Sequence, residues 1–267
     1  MDHVVVTRAG DVATVALNNP QRLNALNRPT WARLGEVMRE LSTDETLRCV
    51  VLRGAGDKAF AAGADIAEFA TERADAKQAK AYGDLIHQTM QSVANCKHPT
   101  VAMIKGACVG GGLEIAACCD MRICGESSKF GAPINKLGLT MGFGELQGLL
   151  ALVGRAVALE ILLEGRVFDA AEALQKRLVN RVVPDDQVEA EAIASAQRIA
   201  AGAPLVARIT GVRKQLSQLF GLRQFQTPVR MPQLDVAQYW HERFHRHPGN
   251  RWIRPVFAAL FGASAYR

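Results

Sequence analysis

The chain is poor in the features that mark metal sites, secretion or membrane insertion. Its six cysteines (Cys49, Cys96, Cys108, Cys118, Cys119 and Cys124) include no Cys-x-x-Cys and no paired metal spacing. Several lie in apolar runs, as reduced, buried cysteines of a cytoplasmic protein do, so no metal is expected. Apolar runs are interrupted well before about 18 residues, and no membrane span is expected. Met1-Asp2-His3-Val4 lacks a basic region followed by an apolar stretch, so a secretory signal is not expected either. There is no internal repeat and no low-complexity tract. From Leu222 onward there is no lysine, but seven arginines and two acids, so five of the six net positive charges sit in that tail. The remainder is nearly neutral, which argues against a basic nucleic-acid face on the body.

What is present is ordinary globular composition, 49% hydrophobic and 22% charged over 267 residues. That is enough for one large domain, or a core with a small appendage. His3 to Thr7 and Val12 to Leu17 are β-rich runs around Arg8-Ala9-Gly10-Asp11, which predicts a hairpin. Asn27 before Arg28-Pro29 suits the N-cap of a helix running to about Leu41. Cys49 to Leu52 reads as a short buried strand, 76–94 as a long helix, and Pro99 to Ile104 as the next buried strand. Gly110-Gly111-Gly112 leads into a short helix containing Leu113 to Cys118, and Met121 to Cys124 suggests another strand. The second half predicts helices at about 144–153, 155–164, 169–176, 187–201 and 204–219, with a short strand at Val179 to Val183. Alternating strands and helices followed by helices predict an α/β core with a helical C-terminal part.

Two strand-to-loop junctions carry chemical interest. Ala59-Phe60-Ala61-Ala62-Gly63-Ala64-Asp65-Ile66 is a run of small residues that lets a ligand approach main-chain amides. Lys105 to Glu114 places three glycines at a helix start, where N–H groups are unpaired and the helix dipole adds positive potential. For an isolated Gly-Gly-Gly, close helix packing is the plainer reading. Here the triplet has company. Asn24-Ala25-Leu26-Asn27, Phe60 to Ile66, Gly110-Gly111-Gly112-Leu113-Glu114, and Phe130-Gly131-Ala132-Pro133 followed by Leu137-Gly138 occur in order.

This set resembles the crotonase family, the enoyl-CoA hydratase/isomerase superfamily, over about residues 3–219. The resemblance implies a spiral of ββα units forming two nearly perpendicular sheets, with a helical C-terminal trimerisation region. It implies residues 1–203 as the acyl-CoA-binding core and 204–267 as a helical region with an atypical Arg-rich tail. The ligand implied is an acyl-CoA thioester, a substrate rather than a cofactor, and the assembly a homotrimer or hexamer. Carried over residue by residue, the amides of Ala64 and Gly111 form the oxyanion hole. Arg22, Asn24, Ala25, Ala62, Asp65, Ile66 and Gly110 belong to the substrate-binding surface. Glu114, three residues after Gly111, is the acid/base.

The chain departs from the hydratase pattern at one telling place. The family's second glutamate follows the proline of Phe-Gly-x-Pro, and here that position is Ile134, an apolar wall residue of the same pocket. Glu145, which replaces a family glycine near the start of the next helix, is the candidate substitute; an acid favoured at a helix N-terminus is the alternative. His87 and His98 are read as structural or exposed, and Asp120 as a structural hydrogen-bonding residue. The expected reaction is hydration of an enoyl-CoA. Isomerisation, other enolate chemistry, or a non-catalytic acyl-CoA- or RNA-binding homologue are the alternatives. The family's usual C-terminal helix motif is absent after Leu222. The tail is read as a divergent cap or interface, or as a segment translated in a shifted frame, and nucleic-acid binding is not expected.

Overall fold

A computed structural model describes residues 2–137 and 142–202. All of them belong to the unit Met1–Ala203. The helix expected at 204–219, the Arg-rich tail, Gly138 and Met141 lie outside the described residues.

Strands β1 (Val4–Ala9) and β2 (Val12–Leu17) form the expected hairpin, with Ala9 paired to Val12 and Gly10 at φ +63° making the tight turn. Helix α1 (Arg28–Thr43) starts where the Asn27 carboxamide accepts from the Thr30 N–H at 2.9 Å, with Pro29 in its first turn. The chain then repeats one pattern. β3 (Cys49–Gly54) is followed by the short β4 (Ala59–Ala61), α2 (Phe69–Glu72) and α3 (Ala76–Ala94). β5 (Thr100–Ile104), β6 (Ala107–Val109) and α4 (Gly111–Cys118) repeat it, and so do β7 (Met121–Gly125), β8 (Lys129–Gly131) and α5 (Phe143–Glu164). After them come β9 (Val167–Asp169), α6 (Ala170–Gln175), β10 (Arg181–Val183) and α7 (Val188–Ala201).

The long strands, with the three-residue β10 at the edge, form a six-stranded sheet in the order β1-β2-β3-β5-β7-β10, parallel except for the β1–β2 hairpin. The other short strands form a four-stranded sheet, β4-β6-β8-β9, in which β4, β6 and β8 are parallel and β9 antiparallel. This is the mixed α/β architecture expected. The second sheet has no counterpart in the sequence-based elements, because three-residue strands carry too little alternation to read.

Alternation divides the core of the larger sheet. Val50, Leu52, Ala102, Ile104 and Cys124 face one side with α1, α3 and α4. Cys49, Val51, Val101, Met103 and Ile123 face the other, under Val188, Ala192 and Ala196 of α7. All six cysteines are free, and five are buried. The helices expected at 144–153 and 155–164 are both present and are taken together as α5, broken at Gly154, whose φ of +74° and ψ of +170° interrupt the helical backbone. By length and composition α5 would suffice to cross a bilayer, unlike anything expected from the sequence, because its apolar residues are broken only by single charges such as Arg155 and Glu160.

Candidate active site

The parallel pairing of β4, β6 and β8 brings their C-terminal ends together, the usual place for a ligand crevice in parallel sheets. Three loops leave that edge: Ala62-Gly63-Ala64 after β4, Gly110-Gly111 after β6, and Ala132-Pro133-Ile134 after β8. They are fastened to one another. The Gly110 N–H donates to the Gly131 carbonyl at 2.8 Å, and a β-carbon added to Gly63 would lie 3.2 Å from Val109 O and 3.8 Å from Gly111 N.

The stretch 22–26 runs parallel to 62–66. Leu26 bridges Ala64, with Leu26 N–H donating to Gly63 O (2.8 Å) and Asp65 N–H donating to Leu26 O (3.0 Å). In such a ladder the N–H of the intervening residue faces away. Accordingly the Ala64 N–H makes no hydrogen bond among the described residues. The Gly111 N–H, at the first position of α4, has no intrahelical acceptor by construction and none elsewhere among the described residues. Two unpaired amides thus lie on adjoining loops.

The three glycines serve different ends. Gly110 sits at φ +53°, ψ −122°, a conformation that side chains disfavour. A β-carbon on Gly111 would come within 2.9 Å of Leu26 Cδ1 and of Trp31 Cζ2, and one on Gly112 within 2.4 Å of Ala61 O. Close packing and amide presentation are thus both needed, at different glycines.

Glu114 stands in the first turn of α4, half-buried, its carboxylate without a hydrogen-bond partner among the described residues. Burial first, and then the negative charge of Glu145, raise its pKa to about 8 against the opposing pull of Arg73. Glu145 opens α5: its carboxylate accepts from the Gly142 N–H at 2.9 Å, and its own N–H donates to the Gly142 carbonyl at 3.0 Å. It is therefore a helix cap and also close enough to Glu114 to perturb it. Ile134 is half-buried in the turn Pro133–Leu137.

Around this centre the predicted binding residues take distinct roles. Arg22 is exposed and forms an ion pair at 2.6 Å with the buried Asp65, which also caps the following turn by accepting from the Ala67 N–H. Ile66 is 59% exposed, and Ala25 and Ala62 are half-buried on the same ledge. Asn24 is 1% exposed and its side chain is committed to the backbone. It accepts from the Asn19 N–H and donates to the carbonyls of Ala55 and Ala59, holding the chain at φ +55°. It shapes the ledge from beneath. Asp120 accepts from the N–H and hydroxyl of Thr100, a structural link. His87 packs its ring on Gly144, beside Glu145. Arg73 was not signalled by the sequence, where it reads as one charge in a polar connection.

Comparison with known proteins places this geometry. The family profile described as Enoyl-CoA hydratase/isomerase matches residues 7–231. The short-chain-enoyl-CoA hydratase of Clostridium acetobutylicum is 35% identical over 210 residues, 79% of this chain and 80% of that protein. The crotonyl-CoA hydratase of Syntrophomonas wolfei is 33% identical over 209 residues, 78% and 80% respectively. A crystal structure of an enoyl-CoA hydratase/carnitine racemase from Magnetospirillum magneticum superimposes with a TM-score of 0.78 at 52% identity, covering 82% of each chain. The chain belongs to the enoyl-CoA hydratase/isomerase family.

Proposed function

We propose that this protein is an enoyl-CoA hydratase whose two carboxylates are Glu114 and Glu145. The observation that carries the reading is the effect of Glu145 on Glu114: with Ile134 in the loop after β8, the second carboxylate comes instead from the start of α5. Arg22, Ala25, Ala62, Asp65, Ile66 and Gly110 line the path of the CoA moiety, with Asn24 supporting them.

In the hydration step the Glu145 carboxylate takes a proton from a water, whose oxygen bonds to C3 of the enoyl thioester. The C2–C3 π pair moves to C2, and the thioester oxygen takes up the charge as an enolate. The Ala64 and Gly111 N–H groups donate to that oxygen where charge develops, an effect of about 3 kcal/mol per donor in comparable sites. Glu114, protonated at neutral pH by virtue of its raised pKa, delivers its proton to C2. No cofactor is needed beyond the CoA of the substrate. Loss of enoyl absorbance with crotonyl-CoA tests the reading. Glu114→Gln and Glu145→Gln should each lower turnover by about 100-fold or more. Turnover retained by Glu145→Gln but lost by Glu114→Gln would reduce Glu145 to a helix cap. CoA binding without turnover of any thioester would make the chain a binding homologue.

The apolar Ile134 at the wall favours one second reading, double-bond isomerisation by Glu114 alone, which a 3-enoyl-CoA assay distinguishes. The apolar side chains left exposed on and after α5 (Leu163 at 73%, Val167, Leu174) support a homotrimer or hexamer, to be weighed by sedimentation. Six free cysteines suit a reducing cytoplasm.

A further inference from the structure

Leu26 touches both of the loops that carry the two unpaired amides. Its N–H donates to Gly63 O at 2.8 Å and its carbonyl accepts from the Asp65 N–H at 3.0 Å, so its backbone is tied on both sides of Ala64. Its side chain is fully buried, with Cδ1 2.9 Å from where a β-carbon on Gly111 would stand. Trp31, in the first turn of α1, reaches the same spot: Cζ2 and Cη2 lie 2.9 and 3.4 Å from that position. Together they fill the space up to the Gly111 backbone. Trp31 is itself tied down, its N–H donating to Asn27 O at 3.0 Å and its carbonyl accepting from the Thr89 hydroxyl of α3 at 2.9 Å. The indole is 1% exposed, and its Nε1–H is buried without a partner among the described residues. A phenyl or aliphatic side chain would fill a core without that cost. What the indole adds is reach, since the far edge of its six-membered ring is what meets Gly111.

Resting on the reading that the Ala64 and Gly111 N–H groups hold the thioester oxygen, we propose that Leu26 and Trp31 are positioning residues. Both are buried and act through Gly111: they fix its amide relative to Ala64 and so set how strongly the substrate carbonyl is polarised. Donors of this kind work over a narrow range of about 2.7–3.1 Å, so a small displacement of Gly111 is felt at the oxygen.

Infrared difference spectra of the full chain with butyryl-CoA, isotopically labelled at its carbonyl carbon, read this directly, because the saturated thioester cannot be hydrated. In the wild type the bound carbonyl band should lie below that of the free thioester. Trp31→Phe and Leu26→Val each shorten one contact with Gly111 and should return the band part of the way. They should also lower kcat for crotonyl-CoA by about 10-fold, against about 100-fold or more for losing a donor outright, with KM little changed. Leu26→Met, similar in volume and reach, should recover most of the wild-type shift. Urea unfolding establishes that each variant is folded, and if one is not, the other decides. Folded variants with the wild-type band and kcat overturn the proposal and leave the two side chains as core packing. A wild-type band unmoved from that of the free thioester overturns the oxyanion reading and the proposal with it. A lowered, Trp31-dependent band without turnover of any enoyl thioester would sink the hydratase reading alone and leave the positioning role standing.

Discussion

Replacing Glu114 with glutamine keeps the side chain's shape and removes its titration, and the two consequences should run in opposite directions. In the unfolded chain this glutamate titrates near 4.5; in the folded protein burial and the Glu145 charge raise it to about 8. Between those values the native state binds a proton that the unfolded state does not, so stability falls as pH rises through that window. At pH 7 the gap from the unfolded midpoint is roughly 2.5 pH units, about 3 kcal/mol at 1.36 kcal/mol per unit. Because the residue is only half-buried, solvent screening brings the expected cost to about 1–3 kcal/mol. Glu114→Gln should therefore be more stable than wild type by that amount at pH 7, raising Tm by about 3–9 °C for a protein of this size. Its turnover should fall by about 100- to 10,000-fold. Urea unfolding at pH 5, 6.5 and 8, at one protomer concentration, provides the measurement. The difference should be small at pH 5 and grow to its full value near pH 8. A stability difference that is absent at pH 8, or that does not change between pH 5 and 8, would refute the raised pKa and with it the acid role of Glu114 in hydration.

Three further outcomes are expected from the same geometry. Glu145→Gln removes the like charge beside Glu114 and should move the Glu114 titration toward lower pH, read from the carboxyl signal in carbon NMR; an unmoved titration would mean that the two carboxylates do not communicate. Gly112→Ala forces a β-carbon to 2.4 Å from a backbone oxygen, whereas Gly111→Ala meets only the ends of Leu26 and Trp31. The first should cost about 2–3 kcal/mol in urea unfolding and the second about 1 kcal/mol, with kcat lowered in Gly111→Ala because its N–H shifts; the reverse order of stability would contradict the packing described. Asn24→Ala strands three backbone partners of a buried side chain and should destabilise by about 3 kcal/mol, at roughly 1 kcal/mol per bond. A loss below about 0.5 kcal/mol would leave Asn24 available for ligand contact instead.

Local physics made much of this protein legible from its residues alone. Asn27 with Pro29, the Gly10 turn and the apolar runs at Cys49 to Leu52 and Pro99 to Ile104 specify their elements through caps, positive φ and burial, properties of neighbours in sequence. The glycine triplet and the small-residue loop likewise announced exposed amides. What those amides do together was decided by tertiary structure. Only the parallel pairing of three-residue strands, too short to show a period, brings the loop of Gly63 and Ala64 against that of Gly110 and Gly111. Only packing of α3 and α5 around α4 brings Glu145 and Arg73, 31 and 41 residues from Glu114 in sequence, within electrostatic reach of it. A pKa of about 8 is a property of that enclosure: the sequence by itself named the carboxylate, and the fold determined that it carries a proton at neutral pH, because desolvation and a like charge both disfavour the ionised form.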